Sequence, residues 1–570
     1  MLKFTISLIF ISHLTLAQFT SSNLPIVVIE TNGGIIRDDP KINVNFKILY
    51  HPDNSTNYLT DTDFHYDGLA GIEFRGSSSQ AFPKKSYSIE LTDALGEEFD
   101  FPIFGFPEGS DWALIANYDD KTHLKNAYMY DLWAKTGNYS PRSKHVEVVI
   151  NGEYMGLFVF TEKIKRGTNR INIKKLEEED ITASKISGGY IIEAARESEL
   201  LTSTFAWQSS YQSSPVSNYY MYFNCVYPKE PVSQQLNYIQ TYIQDFENAL
   251  KSTDFSDPVL GFRNFVDENS FVENFVLQEY SIHLDIFARS QYFYKDRGKK
   301  MVASPLWDTS RGLYDTYATS WRFSCGECDP RFFWAERMMQ DCAFKNKVIE
   351  KYKGFRQTFL TYNKSVSYVD SLANSIQAAA ARDREKWFPT ENISFMSEVQ
   401  LLKNFISIRL NWMDANIHNI INDGKILTGP STANVNQSVS LVSTCSASNP
   451  VLWKFDNIDG TGGYFTGTNI TNVLISQTVT YTAICQETCP KYTNSKTILV
   501  NNDCLDNLNI TSHIVNPPLQ KFKTKYTIQS TASISPSYKI NYSAEGAIEL
   551  KPGFQVTPGA VFIAETGGCK

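Results

Sequence analysis

Three consecutive pieces of this chain decide how its fold is interpreted: EYSIHLDIFAR at residues 279–289, QYFYKD at residues 291–296 and KMVASPL at residues 300–306. The second and third are short strand-like runs, and the Arg297-Gly298 turn between them predicts a β-hairpin. Asp285 lies in the loop before the hairpin, and Asp308 follows it. Because strand ends hold side chains at fixed positions, we expect the hairpin to bring both carboxylates to one site.

The order of loop aspartate, hairpin and second aspartate has a chemical meaning. Protein kinases use this order to place a catalytic aspartate and a Mg²⁺-binding aspartate around one phosphate group. The alternative is an ordinary hairpin flanked by two loop aspartates. The hairpin alone does not decide between these interpretations.

Composition narrows the class of protein. A chain of 570 residues exceeds a single hydrophobic core, so about two to four domains are expected. Its 42% hydrophobic and 14% aromatic content excludes a disordered or fibrous protein. The formal net charge of −8 gives no general attraction to nucleic acid, and we predict no nucleic-acid partner.

Residues 1–17 have the pattern of a secretory signal peptide. Lys3 supplies the positive charge, residues 4–16 are mostly apolar, and Thr15-Leu16-Ala17 provides small residues at the cleavage positions. The apolar run is too short for a membrane anchor, and no later segment is long or apolar enough to cross a bilayer. The sequence therefore predicts a secreted or cell-surface protein without a transmembrane segment.

The periodicity of apolar residues divides the remainder. Residues 24–200 are strand-rich and residues 230–422 have helical spacing, which predicts one bilobed α+β unit over residues 24–422. Two small all-β modules are expected to follow, at residues 425–503 and 504–570. In the first of these, Cys445, Trp453 and Cys485 have the order found in immunoglobulin-like sandwiches.

The nine cysteines suit an oxidising compartment. We predict a disulfide between Cys445 and Cys485 and another between Cys504 and Cys569, because each would join the edges of one predicted module. The connectivity of the remaining four stays open: Cys225, Cys325, Cys328 and Cys342. A zinc site is not expected among them, because a second Cys-x-x-Cys or a close histidine pair is missing.

The strand-rich half contains a candidate phosphate site. The turn that contains Arg75 and Ser77, RGSSS at residues 75–79, has backbone N–H groups that an anion can approach. Lys85 has the same strand parity as the apolar Tyr87, which predicts that Lys85 points inward and that Lys84 faces solvent. A buried lysine needs an anionic partner, and a nucleotide phosphate is one. The alternative is a strand-end lysine that extends to water.

Four motifs together resemble the spore coat protein H (CotH) kinase family over about residues 60–320. They are FRGSSSQAFPKKSY at residues 74–87, NYDDKTHLKN at 117–126, NGEYMGLFVFTE at 151–162, and the Leu284-Asp285 and Trp307-Asp308 pairs. The resemblance implies an atypical, secreted protein kinase that uses ATP and Mg²⁺. It implies Asp285 as the catalytic residue, Asp308 as the metal ligand and Lys85 as the nucleotide-binding lysine, with Glu162 as the candidate partner of Lys85 or of the nucleotide.

The expected activity is transfer of the ATP γ-phosphoryl group to serine or threonine of an exported protein. Many family members carry a second acidic or amide metal ligand where this chain has Ser310. The alternative is therefore a catalytically inactive kinase-fold scaffold or adhesin that binds a surface protein or glycan. Residues 504–570 resemble a short β-module of secreted Gram-negative bacterial surface proteins, which makes surface attachment through the C-terminal modules an expectation.

Overall fold

The computed structural model describes residues 19–214, 217–283, 285–314, 317–323, 333–417, 427–443, 451–458, 462–467, 469–485, 492–501, 506–511, 519–536 and 538–568. The predicted signal peptide lies outside these residues. The chain divides into two compact units, Met1–Ile417 and His418–Lys570.

A seven-stranded closed barrel forms the first part of the first unit. Its strands follow one another around the barrel as β2, β3, β5, β6, β7, β9 and β8. They are β2 Ile26–Glu30, β3 Ile42–Leu49, β5 Tyr66–Arg75, β6 Ser86–Thr92, β7 Asp111–Ile115, β8 Ser143–Ile150 and β9 Glu153–Glu162, beside a separate short pair, β1 Ser21–Ser22 and β4 Asn57–Tyr58. All neighbours are antiparallel except β2 and β8, which closes the ring. Alternate side chains such as Phe46, Ile89 and Trp112 fill the interior.

A second sheet carries the hairpin that the sequence predicted. Its five strands lie in the order β11, β12, β10, β13 and β14. They are β10 Tyr190–Ala195, β11 Ala206–Ser214, β12 Ser217–Tyr227, β13 Gln291–Lys295 and β14 Met301–Ala303. Strands β13 and β14 pair antiparallel, with Phe293 opposite Ala303, so the hairpin is confirmed. The sheet places Asp285 and Asp308 just outside the two ends of this hairpin.

The described residues of the first unit also form eight helices: α1 Lys125–Ala134, α2 Glu199–Thr202, α3 Ser233–Lys251, α4 Glu268–Ser281, α5 Phe333–Met338, α6 Cys342–Thr358, α7 Tyr362–Trp387 and α8 Phe395–Asn416. Several begin at a polar cap; the Asp267 side chain, for example, accepts from the Ser270 N–H at the start of α4. Ile282 caps the C-terminal end of helix α4, and its left-handed φ of 44° turns the chain into the loop that carries Asp285. Among the described residues, none of the helices is both long and apolar enough to cross a membrane.

A buried ion pair fastens helix α7 to the barrel. Asp383 Oδ1 accepts hydrogen bonds from Lys84 Nζ at 2.6 Å and from the Leu157 backbone N–H at 2.8 Å. Both charged side chains are fully buried. Gly156 has a φ of +106°, and a Cβ at this position would lie 2.2 Å from Asp383 Oδ1. Glycine is therefore required where the helix carboxylate meets strand β9.

The second unit begins with two sheets that share one core. One contains β15, β17 and β20, and the other contains β16, β22, β21, β18 and β19. Their bounds are β15 Leu427–Thr428, β16 Thr432–Asn434, β17 Gln437–Ser443, β18 Val451–Asn457, β19 Gly462–Gly467, β20 Asn469–Ile475, β21 Val479–Cys485 and β22 Tyr492–Asn501. Trp453 is fully buried between them. Both predicted disulfides involve cysteines outside the described residues or side chains, so they stay predictions.

The last eight strands form a parallel β-solenoid. They stack in three parallel rows: β23, β25 and β28; β24, β27 and β30; β26 and β29. Their bounds are β23 Asn507–Ile510, β24 Leu519–Thr524, β25 Thr527–Ser530, β26 Ser533–Ile534, β27 Lys539–Ala544, β28 Ala547–Leu550, β29 Gln555–Val556 and β30 Val561–Thr566. Asn507 pairs with Thr527 and Thr527 with Ala547, so the chain returns to the same row after 20 residues. The strand-rich C-terminal region is thus confirmed.

Candidate active site

The predicted aspartates line one cavity of about 440 Å³ in the first unit. Five segments surround this cavity. They are residues 75–79 after β5, residues 115–119 at the end of β7, residues 193–196 of β10 and the turn after it, residues 285–290 before β13, and residues 307–311 after β14. Strand ends of the barrel and of the hairpin sheet therefore meet at this cavity. The sequence expectation that Asp285 and Asp308 face a common site agrees with this arrangement.

Asp285 is buried but incompletely hydrogen-bonded. Only 4% of the residue is exposed, and its Oδ2 atom has no hydrogen-bond partner in the described part of the chain. Arg289 Nη1 lies 3.5 Å from Oδ1, and Arg196 Nη2 lies 3.7 Å from Oδ2. The two guanidinium groups offset the charge of the carboxylate without occupying its Oδ2 lone pairs. This oxygen is available to accept a proton from a ligand hydroxyl group.

Asp308 projects from a backbone held in an uncommon conformation. Its φ is 53°, in the left-handed region that non-glycine residues seldom adopt. The next residue fixes this geometry, because the Thr309 N–H donates to Asn126 Oδ1 at 2.8 Å. Ser310 Oγ lies 3.5 Å from Asp308 Oδ1. The half-buried carboxylate thus faces the cavity from a constrained loop, as is common for functional residues.

The turn after β5 supplies the positive side of the cavity. Arg75 Cζ lies 5.2 Å from the centre of the Trp307 ring, and its Nη1 atom is buried without a hydrogen-bond partner among the described residues. Ser77 lies on the exposed rim. Gly76 adopts a φ of +97°, which opens the turn that Ser77 begins. An unused guanidinium donor beside a small-residue turn fits an anionic ligand.

The environments of the two adjacent lysines differ from those predicted. Lys84 is 1% exposed, so the prediction that it faces solvent is wrong. Lys85 is only half-buried, and its Nζ donates to the carbonyl oxygens of Gln80 and Phe82 at 2.6 Å each. The alternation failed because β6 begins only at Ser86, so strand parity does not extend back to the lysines. Lys84, not Lys85, is among the residues that line the cavity.

Glu162 is buried, as its place at the end of β9 suggested, but it contacts other groups than predicted. Arg142 donates to this carboxylate from Nη1 at 2.9 Å and from its backbone N–H at 3.0 Å. The Tyr139 hydroxyl also donates to it, at 3.2 Å. Glu162 does not line the cavity and is not paired with Lys85 in the described structure. Arg142 lies directly before β8, and this basic residue was the sequence signal for its pairing with Glu162.

The structure adds two acidic residues that sequence reasoning missed. Glu193 lies on β10 and lines the cavity; burial raises its pKa to about 7, and repulsion from Glu199 and Asp308 adds to this effect. Burial also raises the pKa of Asp119, with further contributions from the charges of Asp120 and Asp308. The signal for Glu193 was a carboxylate within the otherwise apolar run YIIEAA at residues 190–195.

The charges around the cavity fit a metal-bound polyphosphate. Five acidic side chains line it, as do five basic ones: Asp119, Glu193, Glu199, Asp285 and Asp308, and Arg75, Lys84, Arg196, Arg289 and Arg311. Lys84 is paired with Asp383, and burial favours the protonated form of Glu193, so four groups of each sign remain, and this balance suits an anion and a cation bound together. No group of three or more metal-ligating side chains occurs in the described residues. Such a site suits Mg²⁺, which usually takes one or two carboxylates and completes its shell with phosphate oxygens and water.

Comparison with known proteins agrees with the motifs around this cavity. Residues 72–413 match the family described as CotH kinase protein, and this range covers more than half of the 570 residues. A comparison with curated proteins gave no match. The matched range includes Asp285, Asp308 and every other residue that lines the cavity. The chain belongs to the CotH kinase family.

Proposed function

We propose that this chain is an atypical protein kinase that transfers the γ-phosphoryl group of ATP to serine or threonine of an exported protein. One observation carries the proposal: Asp285 and Asp308 line the same cavity as the unpaired guanidinium of Arg75. A proton acceptor, a metal-ligating carboxylate and a phosphate-binding cation are the groups that phosphoryl transfer requires.

Each residue has a role in the proposed reaction. Asp285 orients the acceptor hydroxyl and takes its proton as the oxygen–phosphorus bond forms and the bond between the γ-phosphorus and the β–γ bridging oxygen breaks. Arg75 and the backbone of residues 76–79 bind phosphate oxygens and offset their charge. Asp308 holds Mg²⁺, with Ser310 beside it. When bound, Mg²⁺ neutralises charge that develops on the phosphate oxygens.

The finer points of architecture and location belong to the same proposal. We infer that the barrel and the helical part of residues 24–422 act as the two lobes of a kinase-like unit. The two sheets of residues 427–501, with Trp453 buried between them, support an immunoglobulin-like sandwich. The signal-like residues 1–17 support secretion or display on a cell surface, where the C-terminal modules would provide attachment.

The direct test is the intact mass of acceptor peptides after incubation with ATP and Mg²⁺. Serine- and threonine-containing peptides should gain the mass of one phosphate; gain of an AMP group would instead show nucleotidyl transfer. The Asp308→Asn variant should lose transfer and Mg²⁺-dependent ATP binding, because a neutral amide is a poorer ligand for a hard cation. Asp296→Asn is the matched control, since Asp296 lies in the same hairpin but accepts from the Lys174 and Arg297 N–H groups outside the cavity.

One specific observation, Ser310, favours the alternative of a catalytically inactive scaffold or adhesin. Its hydroxyl is a weaker metal ligand than a carboxylate or an amide oxygen. An inactive scaffold would yield unmodified peptides at every ATP concentration, and the purified chain would gain no thermal stability from ATP and Mg²⁺. A kinase that binds ATP should instead be stabilised by about 2.7 kcal/mol at a 100-fold excess of ligand over Kd.

A further inference from the structure

Two asparagine side chains connect the loop of Asp308 to the far wall of the cavity. The Thr309 N–H donates to Asn126 Oδ1 at 2.8 Å, and the Thr309 hydroxyl donates to the same oxygen at 3.1 Å. Asn126 Nδ2 then donates to Asn117 Oδ1 at 3.3 Å. Asn117 follows strand β7, and Asn126 lies in the first turn of helix α1. The three residues form a hydrogen-bonded relay.

The backbone sets the direction of this relay. A peptide N–H can only donate, so the group that Asn126 turns toward Thr309 must be its carbonyl oxygen. The NH₂ group of Asn126 then faces Asn117, which must present its own oxygen. This leaves Asn117 Nδ2 at the end of the relay, and its orientation follows from the Thr309 backbone.

Asn117 Nδ2 is buried in the wall of the cavity and has no partner among the described residues. Only 4% of Asn117 is exposed, the residue lines the cavity, and Nδ2 makes no hydrogen bond within the described ranges. A buried amide donor that stays unpaired costs about 1–3 kcal/mol, so a ligand that accepts its hydrogen bond gains this energy. The other unpaired buried donor of the cavity wall is Arg75 Nη1. Two unpaired donors, one of them cationic, point to an anion rich in acceptor oxygens.

We propose that Asn117 Nδ2 donates a hydrogen bond to a phosphate oxygen of the nucleotide, and that Asn126 is the positioning residue that orients it. This inference rests on the proposed function and deepens it. A phosphate explains the observations better than a peptide carbonyl of the acceptor, because a carbonyl does not require the adjacent guanidinium of Arg75. The relay also ties phosphate binding to the segment of Asp308, so both ligand contacts would share one rigid support.

The backbone at Asn117 determines which variants are informative. Its φ of 48° is left-handed, which aspartate and glycine tolerate better than alanine does. Asn117→Asp keeps the shape and still accepts from Asn126, but it replaces the free donor with negative charge. Asn117→Gly removes the donor without adding charge. Asn151→Asp is the matched control, because Asn151 has a φ of 50° and accepts from the Thr31 N–H in a hairpin turn outside the cavity.

Calorimetry on the full chain, with ATP, adenosine and inorganic tripolyphosphate as separate probes in the presence of Mg²⁺, tests the proposal. Loss of a donor to a charged oxygen should weaken ATP and tripolyphosphate binding by about ten- to a hundredfold in Asn117→Asp and by about tenfold in Asn117→Gly. Adenosine affinity should not change in either variant, and the control should bind all three probes as the unaltered chain does. If Asn117→Asp does not fold, Asn117→Gly decides the result.

The positioning role of Asn126 has a separate test. Asn126→Asp still accepts from Thr309 but cannot donate to Asn117, whose NH₂ group should then turn toward the new carboxylate. Polyphosphate affinity should fall by about tenfold, and the same change made in the Asn117→Gly background should cost less, because only the charge of the new carboxylate then acts on the phosphate. Additive losses would show that Asn126 acts independently and would overturn its positioning role.

Other outcomes are equally decisive. Unchanged ATP affinity in both Asn117 variants, or an equal loss for adenosine, would overturn the phosphate contact. Tripolyphosphate binding that depends on Asn117, in a chain that does not bind ATP, would support the phosphate contact while the proposed kinase function fails. An unaltered chain that binds neither ATP nor tripolyphosphate would overturn both the phosphate contact and the proposed kinase function.

Discussion

Two buried carboxylates of the first unit differ in how completely they are paired. Asp383 has a lysine ammonium at 2.6 Å and a backbone N–H at 2.8 Å on one oxygen, with His123 Nε2 at 3.3 Å from the other. Among the described residues, the carboxylate of Asp285 has only two guanidinium groups near it, at 3.5 and 3.7 Å. Both are at least nine-tenths buried. Burial alone therefore does not distinguish a structural carboxylate from a functional one.

Both groups leave Oδ2 without a hydrogen bond among the described residues, so the difference lies in how close the ion pairs are and in the cavity beside Asp285. Although burial opposes ionisation, the charges of Lys84 and His123 hold the pKa of Asp383 well below its usual range. This carboxylate is part of the support that joins helix α7 to the barrel. Asp285 leaves Oδ2 free at a cavity, at a cost in folding energy that a ligand can recover. Incomplete pairing next to a cavity is the feature that marks a candidate catalytic group.

The largest expected effect concerns Asp285 and catalysis. Asp285→Asn should lower phosphoryl transfer by about 10²- to 10⁴-fold, because the amide cannot take the proton of the acceptor hydroxyl. ATP affinity and the free energy of unfolding should change little, since the two guanidinium groups near this carboxylate lie at 3.5 and 3.7 Å and are themselves partly exposed. Initial rates and calorimetric ATP affinity measure the two effects. A variant that transfers phosphate normally would contradict the assigned role.

Asp383 should show the opposite profile. Asp383→Ala leaves Lys84 buried without its counter-charge, so the free energy of unfolding should fall by about 3–5 kcal/mol in urea denaturation. Because the pKa of Asp383 is lowered in the folded state, its contribution is present above its unfolded pKa, near 4, and is lost as pH falls below that value. The exposed Lys175–Glu177 pair is the control: Glu177→Ala should cost less than about 1 kcal/mol.

Glu193 should make a smaller contribution to the pH dependence of stability, and its sign should be opposite to that of Asp383. Its pKa is raised to about 7, so the folded state favours the protonated form. The free energy of unfolding should therefore fall as pH rises from about 4.5 to 7 and then level off. Glu193→Gln should remove this part of the pH dependence, by no more than about 2 kcal/mol, because water that enters the cavity screens the group. An identical pH profile in wild type and variant would refute the raised pKa.

The smallest effect separates the two lysines. Lys85→Met removes two hydrogen bonds to the carbonyl oxygens of Gln80 and Phe82, so we expect a loss of about 1 kcal/mol in stability and little change in ATP affinity. Lys84→Met should destabilise the fold far more, because it leaves Asp383 without its cation. A selective loss of ATP affinity in Lys85→Met would instead restore the nucleotide-binding role that the family resemblance implies.

The sequence predicted the hairpin and its two aspartates because both depend on local order. A turn signal between two short strands determines which residues lie at the strand ends, and the side chains there follow. The Lys84 and Lys85 assignment failed because the alternating pattern was extended beyond the start of β6. The partner of Lys84 is 299 positions away along the chain. A single sequence does not reveal a contact of that range.

The contacts of Glu162 and Asn117 were also beyond what a single sequence reveals, over a short and a long separation along the chain. Glu162 is buried at the end of β9, but its burial is compatible with any nearby cation, and Arg142 contacts it. Asn117 was part of a recognised motif, yet its chemistry depends on a relay that starts at Thr309, almost 200 residues later. The C-terminal solenoid was missed because its repeat appears in residue pairing, for example Ile528 with Ile548, more clearly than in residue identity.

The parallel rows of residues 506–568 also make the length of this module adjustable. Each coil adds one strand to each row, and neighbouring strands are spaced by about 4.8 Å. A duplicated or deleted stretch of about 20 residues would change the height of the stack by one such step and leave the pairing inside the other coils intact. This part of the chain can therefore serve as a spacer whose reach varies in discrete increments while its cross-section stays constant.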